Sequence, residues 1–107
     1  KAFVLAIRDA LAVVSGKWKL AIVCTLLSGP KGFADIERLL ATISPRMLSR
    51  ELRELEVNGT ITRHKSEPDG KNRKYALTSS GKKLEKVVFI LAAWGAEHRA
   101  ESANTHQ

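Results

Sequence analysis

The sequence predicts a mainly α-helical domain that carries one small β-hairpin. Two patterns predict this fold class. Apolar residues recur at the 3.6-residue period of a helix over most of the chain, whereas residues 60–78 alternate with a period of two around the turn-rich stretch EPDGKN. A chain of 107 residues is long enough for one hydrophobic core, so we expect a single domain at residues 1–102 and a frayed polar tail at 103–107.

The composition limits the classes of partner and of cellular setting. Lysine and arginine total 18 against 11 acidic residues, a net charge of +7, which favours a polyanionic partner such as nucleic acid or an acidic membrane surface. The single cysteine, Cys24, lies inside the apolar run LAIVCTLL, where we expect an inert thiol in a helix interior. One cysteine forms neither a disulfide framework nor a paired-cysteine metal site, and no apolar run approaches the roughly 20 residues of a membrane span. We therefore expect a cytoplasmic protein.

The first three helices are predicted from apolar periodicity and from the turn residues between them. The first covers residues 3–14 and has more apolar surface than one core face requires. The second, from Trp18 to Leu27, is apolar nearly all round, which is typical of a buried central helix. Either Lys17 or Lys19, beside Trp18, could contact a phosphate. The third helix turns four apolar residues inward: Phe33, Ile36, Leu39 and Leu40.

The fourth helix has the clearest boundaries in the sequence. Ser44 can cap its first turn and Pro45 suits the first helical position, while Asn58-Gly59 supplies a left-handed stop. Three leucines recur on one face at helical spacing. Four polar residues recur on another face: Arg46, Ser49, Arg50 and Arg53.

A hairpin and a last helix complete the chain. The segments TITRHKS and RKYALT alternate as two strands would, and the turn between them is basic. The last helix is predicted to begin near residue 79 or 80 and to continue without a break through GKKLEKVVFILAAWGAEHRAE.

The order of these elements predicts a winged helix-turn-helix. A short helix, a turn of about four residues and a second helix make a helix-turn-helix, and a hairpin directly after it is the wing. The helix at 44–58 is then the reader of a DNA major groove, with its positive end towards phosphates or base edges. The residues that we expect to contact DNA are Ser44, Pro45, Arg46, Ser49, Arg50 and Arg53 of the reader helix and Lys71, Asn72 and Arg73 of the wing.

Other interpretations stay open at this point. The arginines could form a solvated helix face that pairs with Glu51, Glu54 and Glu56, and the wing could be a plain hydrophilic turn. A winged helix can also serve as a protein-interaction module or bind nucleic acid non-specifically. A membrane-surface helix would need cations along its whole length, which the last helix lacks. The three histidines show no metal spacing and no nucleophile–base pattern occurs, so we expect no catalytic residue, no metal and no cofactor.

The last helix carries apolar residues on more than one face. One stripe at helical spacing can face the domain's own core: Leu84, Val87, Val88, Leu91 and Trp94. Phe89 and Ile90 fall on the opposite side, and the surplus apolar surface of the first helix in a second copy is the obvious cover for them. The residues that we expect at this dimer interface are Val4, Ile7, Leu11, Val87, Phe89, Ile90, Leu91 and Trp94.

Five stretches, in this order, resemble the HxlR-type winged helix-turn-helix transcription regulators, a MarR-like family: IRDALAVVSGKWKL, GPKGFADIERLL, ISPRMLSRELRELEVNGTITR, KYALTSSGKKL and WGAEH. The resemblance covers nearly the whole chain. It implies a homodimeric bacterial or archaeal DNA-binding regulator that dimerises through its first and last helices. Several members look like thiol sensors with a cysteine near the start of the first helix. Residues 1–6 here contain none, and Leu5-Ala6 stand where some members have Cys-Pro, so the given sequence departs from the pattern of those members, and whether a sensing cysteine lies upstream of residue 1 stays open.

A symmetric dimer of this kind is expected to bind a pseudo-palindromic operator. Its two reader helices would enter successive major grooves about 34 Å apart. A protein that occupies a promoter excludes polymerase, so repression is the expected outcome. An unidentified small-molecule effector is expected to bind at the seam between the protomers and to change the spacing of the readers.

Overall fold

The computed structural model describes residues 1–65 and 73–105, apart from the side chains of residues 65, 104 and 105. Within these ranges the chain forms helices and one antiparallel pair of strands, which confirms the predicted mainly α-helical fold with a small hairpin. In chain order the elements are α1 (Ala2–Val14), α2 (Lys19–Leu26), α3 (Phe33–Leu40), α4 (Pro45–Val57), β1 (Ile61–Lys65), β2 (Arg73–Leu77), α5 (Ser79–Lys82) and α6 (Glu85–Thr105).

One hydrophobic core lies between α2, α3, α4 and the base of the hairpin. These elements meet there because each turns one apolar stripe inward. Among the described side chains, α1 buries only Val14 and α6 only Val88. The residues of the core cluster are Ile22, Val23, Leu26, Ile36, Ile43, Leu48, Leu52, Leu55, Ile61, Leu77 and Val88.

The boundaries of α4 match the sequence signals at both ends. The Met47 backbone N–H donates a hydrogen bond of 3.1 Å to Ser44 Oγ, and Pro45 holds the first helical position. A serine cap of this kind contributes about 1 kcal/mol. At the other end Gly59 has a φ of +82°, in the left-handed region that favours glycine. Both ends of α4 are therefore set by local sequence.

The turn from α3 to α4 contains a strained residue. Ala41 has a φ of +61° and a ψ of −55°, and the Thr42 N–H donates to the Leu40 carbonyl at 2.6 Å, which together form a γ-turn of positive φ. Such a conformation costs on the order of 1–3 kcal/mol and persists only where neighbouring structure holds it. Ile43, buried directly after the turn, is one such anchor.

The hairpin is held by α4 on one side and by a loop on the other. β1 and β2 pair antiparallel, with Ile61 opposite Leu77 at the base. The strand pattern did not indicate a third partner, yet the backbones of Lys31 and Tyr75 exchange two hydrogen bonds of 3.0 and 2.8 Å. This bridge ties β2 to the loop that precedes α3.

The prediction of one continuous last helix is wrong. The structure has the short helix α5, a turn at Lys83 and Leu84, and then α6 from Glu85. The apolar pattern in this region is helical on both sides of the turn, so periodicity alone could not reveal the break.

A close contact between α5 and the hairpin accounts for the break. A Cβ on Gly81 would lie 2.1 Å from the Thr60 carbonyl oxygen, so only glycine fits there. Thr78 reinforces the contact: its Oγ1 accepts a hydrogen bond of 3.1 Å from the Gly81 N–H and donates one of 2.6 Å to the Gly59 carbonyl, while its backbone N–H donates to the Thr60 carbonyl at 3.0 Å. The short helix α5 is thus fixed to the base of the hairpin, and α6 begins after the turn that follows it.

Helices α1 and α6 extend away from the core. The radius of gyration is 15.8 Å, against roughly 13 Å for a compact domain of this length. Every side chain of α6 from residue 89 to residue 101 is exposed. Of the stripe expected to face the domain's own core, Val88 is buried and Leu84 partly buried, whereas Trp94 is 60% exposed. The core therefore covers less of α6 than the sequence suggested.

Two residues expected to face the core are exposed. Cys24 in α2 lies at the surface, as does Leu39 in α3, which is 57% exposed. Because α2 is apolar nearly all round, its periodicity could not tell which side packs inward. Ile22, Val23 and Leu26 occupy the core side, which leaves Cys24 outside. In α3, Ile36 is the fully buried residue.

Candidate nucleic-acid interface

One face of α4 is basic and exposed. Its side chains recur at i, i+3, i+4 and i+7, a spacing that places them on one side of a helix. We call this surface the basic face; it consists of Arg46, Ser49, Arg50 and Arg53, all of them exposed. The leucines at 48, 52 and 55 are buried behind it. Because the leucines anchor the helix in the core, the arginines are presented to solvent together.

The start of α4 adds polar groups beside the basic face. Ser44 and Pro45 are exposed there. Ser44 Oγ accepts the capping hydrogen bond from the Met47 N–H, and its hydroxyl hydrogen can still be donated to a phosphate oxygen. The positive end of the helix dipole lies at the same place and favours an anion.

Two glutamates of α4 turn towards α2. Lys19 Nζ donates hydrogen bonds of 2.5 Å to Glu51 Oε2 and to Glu54 Oε2. The side chains of Lys19 and Glu51 are 12% and 10% exposed, and that of Glu54 is 44% exposed. The expectation that Lys19 could contact a phosphate is wrong, because its ammonium lies inside this ion pair.

The pairing of glutamates with arginines along α4 is weaker than the sequence suggested. Arg50 Nε lies 3.6 Å from Glu54 Oε1, a distance too long for a hydrogen bond. Glu51, which could have faced an arginine, is buried against Lys19 instead. The arginines of the basic face are therefore neutralised less by the glutamates of α4 than the number of glutamates in that helix suggests.

The ion pair shifts two pKa values. Burial alone would lower the pKa of Lys19, but its hydrogen bonds to Glu51 and Glu54 and their negative charges outweigh burial and raise that pKa above 10.5. The hydrogen bond from Lys19 lowers the pKa of Glu54 below 4.5, and Arg50 adds a smaller effect in the same direction. Both groups are charged at neutral pH.

The described part of the wing is also basic. Arg73 and Lys74 are exposed at the start of β2, and the strand register places Lys74 opposite His64. Lys71 and Asn72, which we expected to contact DNA, lie outside the described residues. Positive side chains thus stand on the hairpin as well as on α4.

A short polar junction holds the hairpin next to α4. The buried Thr60 donates its backbone N–H to the Leu55 carbonyl at 3.0 Å and its Oγ1 hydrogen to Asn58 Oδ1 at 2.6 Å. Asn58 Nδ2 in turn donates to the Val13 carbonyl of α1 at 3.2 Å. The junction leaves α4 and the wing little freedom to separate.

Residues 1–65 and 73–105 hold neither a metal cluster nor a membrane-spanning helix. No three histidine, cysteine, aspartate or glutamate side chains there come close enough to hold a metal ion. Within the same ranges, no helix combines the length and the apolar character needed to cross a membrane.

The profile of the HxlR-like helix-turn-helix family matches residues 13–103. This chain belongs to that family. The HTH-type transcriptional regulator YtcD of Bacillus subtilis (strain 168) is 37% identical over 98 residues, which cover 92% of this chain and 78% of YtcD. An HTH-type transcriptional regulator of Methanothermobacter thermautotrophicus is 33% identical over 103 residues, covering 96% of this chain and 79% of that protein. The solved structure of the redox regulator HypR in its reduced form has a TM-score of 0.84 at 31% identity, with 92% of this chain and 98% of that chain covered.

Membership of the HxlR-like family confirms the predicted fold and the predicted class of function, a DNA-binding transcriptional regulator. Sequence reasoning missed two residues of this HxlR-like domain that hold the DNA-binding unit together. Lys19 pairs with partners 32 and 35 residues away, and Lys31 bridges to the hairpin. Helical spacing relates neighbours on one helix, so it could not reveal either contact. The only signal was a lysine at the start of an otherwise apolar helix.

Proposed function

We propose that this HxlR-like regulator binds a specific double-stranded DNA operator as a homodimer and represses transcription. The observation that carries the proposal is the basic face of α4, whose arginines are exposed while Glu51 and Glu54 pair with Lys19 behind it. A helix of this kind fits the DNA major groove, where arginine donates two hydrogen bonds to guanine.

Base contacts and phosphate contacts would come from different parts of the unit. The basic face would reach base edges, which specify the sequence. Phosphate contacts would fix the position of the protein on the duplex, and they would come from the start of α4 and from the wing. The residues assigned to phosphates are Ser44, Lys71, Asn72 and Arg73, and Pro45, which has no N–H, would touch the DNA beside Ser44 by van der Waals contact alone.

The homodimer would form through α1 and α6. Both helices expose several large aliphatic and aromatic side chains; Ile90 of α6, for example, is 71% exposed. Soluble monomers rarely leave an apolar surface of more than a few hundred Å² uncovered. A second copy would cover this surface through Val4, Ile7, Leu11, Val87, Phe89, Ile90, Leu91 and Trp94.

A symmetric dimer fits a symmetric operator. Two copies of α4 would enter successive major grooves about 34 Å apart on a pseudo-palindromic sequence. Occupation of a promoter in the cytoplasm would exclude polymerase and so repress the gene. A small-molecule effector would bind at the seam between the protomers and change the spacing of the two copies of α4.

The test starts from an operator selected by the parent protein out of random duplex DNA. Arg50→Ala should weaken binding to that operator by about 1–3 kcal/mol at fixed salt and leave the fold intact, because a bidentate contact between arginine and guanine is worth about that. Arg99→Ala, which removes an exposed arginine from α6, serves as the matched control and should bind like the parent. Failure to select any sequence, or equal affinity of Arg50→Ala and parent, would favour a non-specific or protein-interaction module instead.

A further inference from the structure

We propose that Lys19 is a positioning residue for DNA recognition: it draws the Glu54 carboxylate towards α2, so that the ion pair between Glu54 and Arg50 stays at 3.6 Å without a hydrogen bond and the Arg50 N–H groups stay open to DNA. Lys19 acts from α2, behind α4, and does not itself contact DNA. The inference rests on the proposed function, because that function assigns Arg50 to a DNA contact.

Glu54 lies between two cations. Its Oε2 accepts the 2.5 Å hydrogen bond from Lys19, and its Oε1 is 3.6 Å from Arg50 Nε. Arg50 and Glu54 are four residues apart, a spacing at which oppositely charged side chains on a helix can form a direct ion pair. Glu54 therefore has two available partners, and in this structure its hydrogen bond goes to Lys19.

Burial makes Lys19 the stronger partner. The Lys19 side chain is nearly buried, whereas that of Arg50 is exposed, so water screens the attraction to Glu54 less on the α2 side. The buried Glu51 accepts a second hydrogen bond from the same ammonium and fixes it in place. The contact between α2 and α4 thus decides where the Glu54 carboxylate points.

Loss of the Lys19 ammonium would have two separate consequences. Glu51 would keep a charge in a buried place without its partner, which destabilises the fold. Glu54, which is partly exposed, would close the 3.6 Å gap to Arg50, accept a hydrogen bond from its guanidinium and place a negative charge nearer the DNA phosphates. The first consequence concerns folding and the second concerns DNA binding, so a crossed set of variants separates them.

The experiment measures two quantities for each variant: the dissociation constant for the operator selected by the parent protein, and the urea midpoint of unfolding. Lys19→Met should weaken binding and lower the midpoint, with an affinity loss of about tenfold, which is part of the roughly five- to 150-fold that a bidentate arginine contact carries. The double variant Lys19→Met/Glu54→Gln should bind the operator within about twofold of the parent, while its urea midpoint stays as low as that of Lys19→Met. The double variant Lys19→Met/Glu51→Gln should have a higher urea midpoint than Lys19→Met, while its affinity for the operator stays as low.

Two further variants serve as controls. Lys19→Arg keeps a positive charge between the same glutamates and should keep the parental affinity. In an Arg50→Ala background, Lys19→Met should cause no further loss of affinity, because the group through which Lys19 acts is gone. If Lys19→Met alone does not fold, the comparison is made between Lys19→Met/Glu51→Gln and the same protein with Glu54→Gln added.

The outcomes distinguish this inference from the proposed function. If Lys19→Met binds the operator as tightly as the parent, Lys19 serves stability alone. The same follows if Lys19→Met/Glu51→Gln recovers both the affinity and the urea midpoint of the parent. If Arg50→Ala weakens binding and Lys19→Met does not, the inference is wrong and the proposed function stands. If Arg50→Ala binds like the parent, the assignment of Arg50 to DNA is wrong and the inference falls with it.

Discussion

Helices α4 and α6 expose opposite kinds of surface. α4 buries three leucines and leaves arginines in solvent, whereas α6 buries Val88 among its described side chains and leaves aliphatic and aromatic residues in solvent. A charged face is well solvated, but an extended apolar face is unfavourable in water until a protein surface covers it. The difference is the basis of the two proposed partners of different chemistry: a polyanion for α4 and a second copy of the chain for α6.

The two helices also differ in how they are attached. α4 is fixed by its cap, by the core, by the Lys19 ion pair and by the polar junction to the hairpin. α6 is joined to the core mainly through Val88 and Leu84 and through the α5 contact at Gly81. The position of α4 is thus set by several contacts within one chain, whereas the described contacts of α6 with the core are confined to its start.

The largest expected effect comes from a charge on the apolar face of α6. Ile90→Arg should give a largely monomeric or aggregating protein and abolish tight operator binding, although no residue assigned to DNA is changed. At about 25 cal/mol per Å² of apolar area, a covered patch of some hundreds of Å² contributes several kcal/mol before the cost of association. Analytical ultracentrifugation at micromolar concentration measures the state of assembly.

Leu39→Arg is the matched control for that experiment. It adds the same charge at another exposed apolar position, on α3 and outside the proposed seam. It should leave the dimer intact. A parent protein that sediments as a monomer, or an intact dimer of Ile90→Arg, would show that α6 is not the seam.

The two helices also differ in how much of their structure the sequence could predict. α4 was predictable because its signals are local: a serine cap, a proline at the first position, a leucine stripe and an Asn-Gly stop all agree on one helix. The exposed arginines followed from the same periodicity. The assignment of these arginines to DNA stays a prediction.

The rest of the structure depends on contacts that local patterns do not encode. α2 and α6 are apolar on several sides, so periodicity did not tell which side the core takes, and Cys24 was expected on the wrong side. The break before α6 follows from the approach of Gly81 to the Thr60 carbonyl, about 20 residues away. Lys19 pairs across two helices in the same non-local way.

A smaller effect is expected from the wing. Arg73→Ala should weaken binding to all DNA sequences alike, and it should reduce the slope of log affinity against log salt by about one unit for each phosphate that a protomer no longer neutralises. Lys83→Ala, at an exposed position in the turn before α6, should leave the slope unchanged. Titrations of operator and non-operator DNA at several salt concentrations give both slopes. A parental slope for Arg73→Ala would make the wing a plain hydrophilic turn.

The smallest effect concerns the pH dependence of the ion pair behind α4. The hydrogen bond from Lys19 lowers the pKa of Glu54 in the folded protein, with a lesser contribution from Arg50. A group whose pKa is lower in the folded than in the unfolded chain stabilises the fold above its unfolded pKa, here 4.5, and loses that contribution as the pH falls through the folded pKa. The pKa of Lys19 is raised, so its own contribution is fully present below 10.5 and is lost only as the pH rises above that value.

Comparison of the parent with Glu54→Gln isolates this contribution. The parent should unfold at a higher urea concentration between about pH 6 and pH 9, where both Glu54 and Lys19 are charged, and the two midpoints should converge as the pH falls below 4.5. The gap should be small, because Glu54 is partly exposed and water screens its charge. Midpoints that coincide at neutral pH would mean that Glu54 contributes nothing to the attachment of α4. A gap that persists at a pH where Glu54 is protonated in both the folded and the unfolded protein would assign the effect to packing of the side chain, because a protonated carboxyl no longer attracts the Lys19 ammonium.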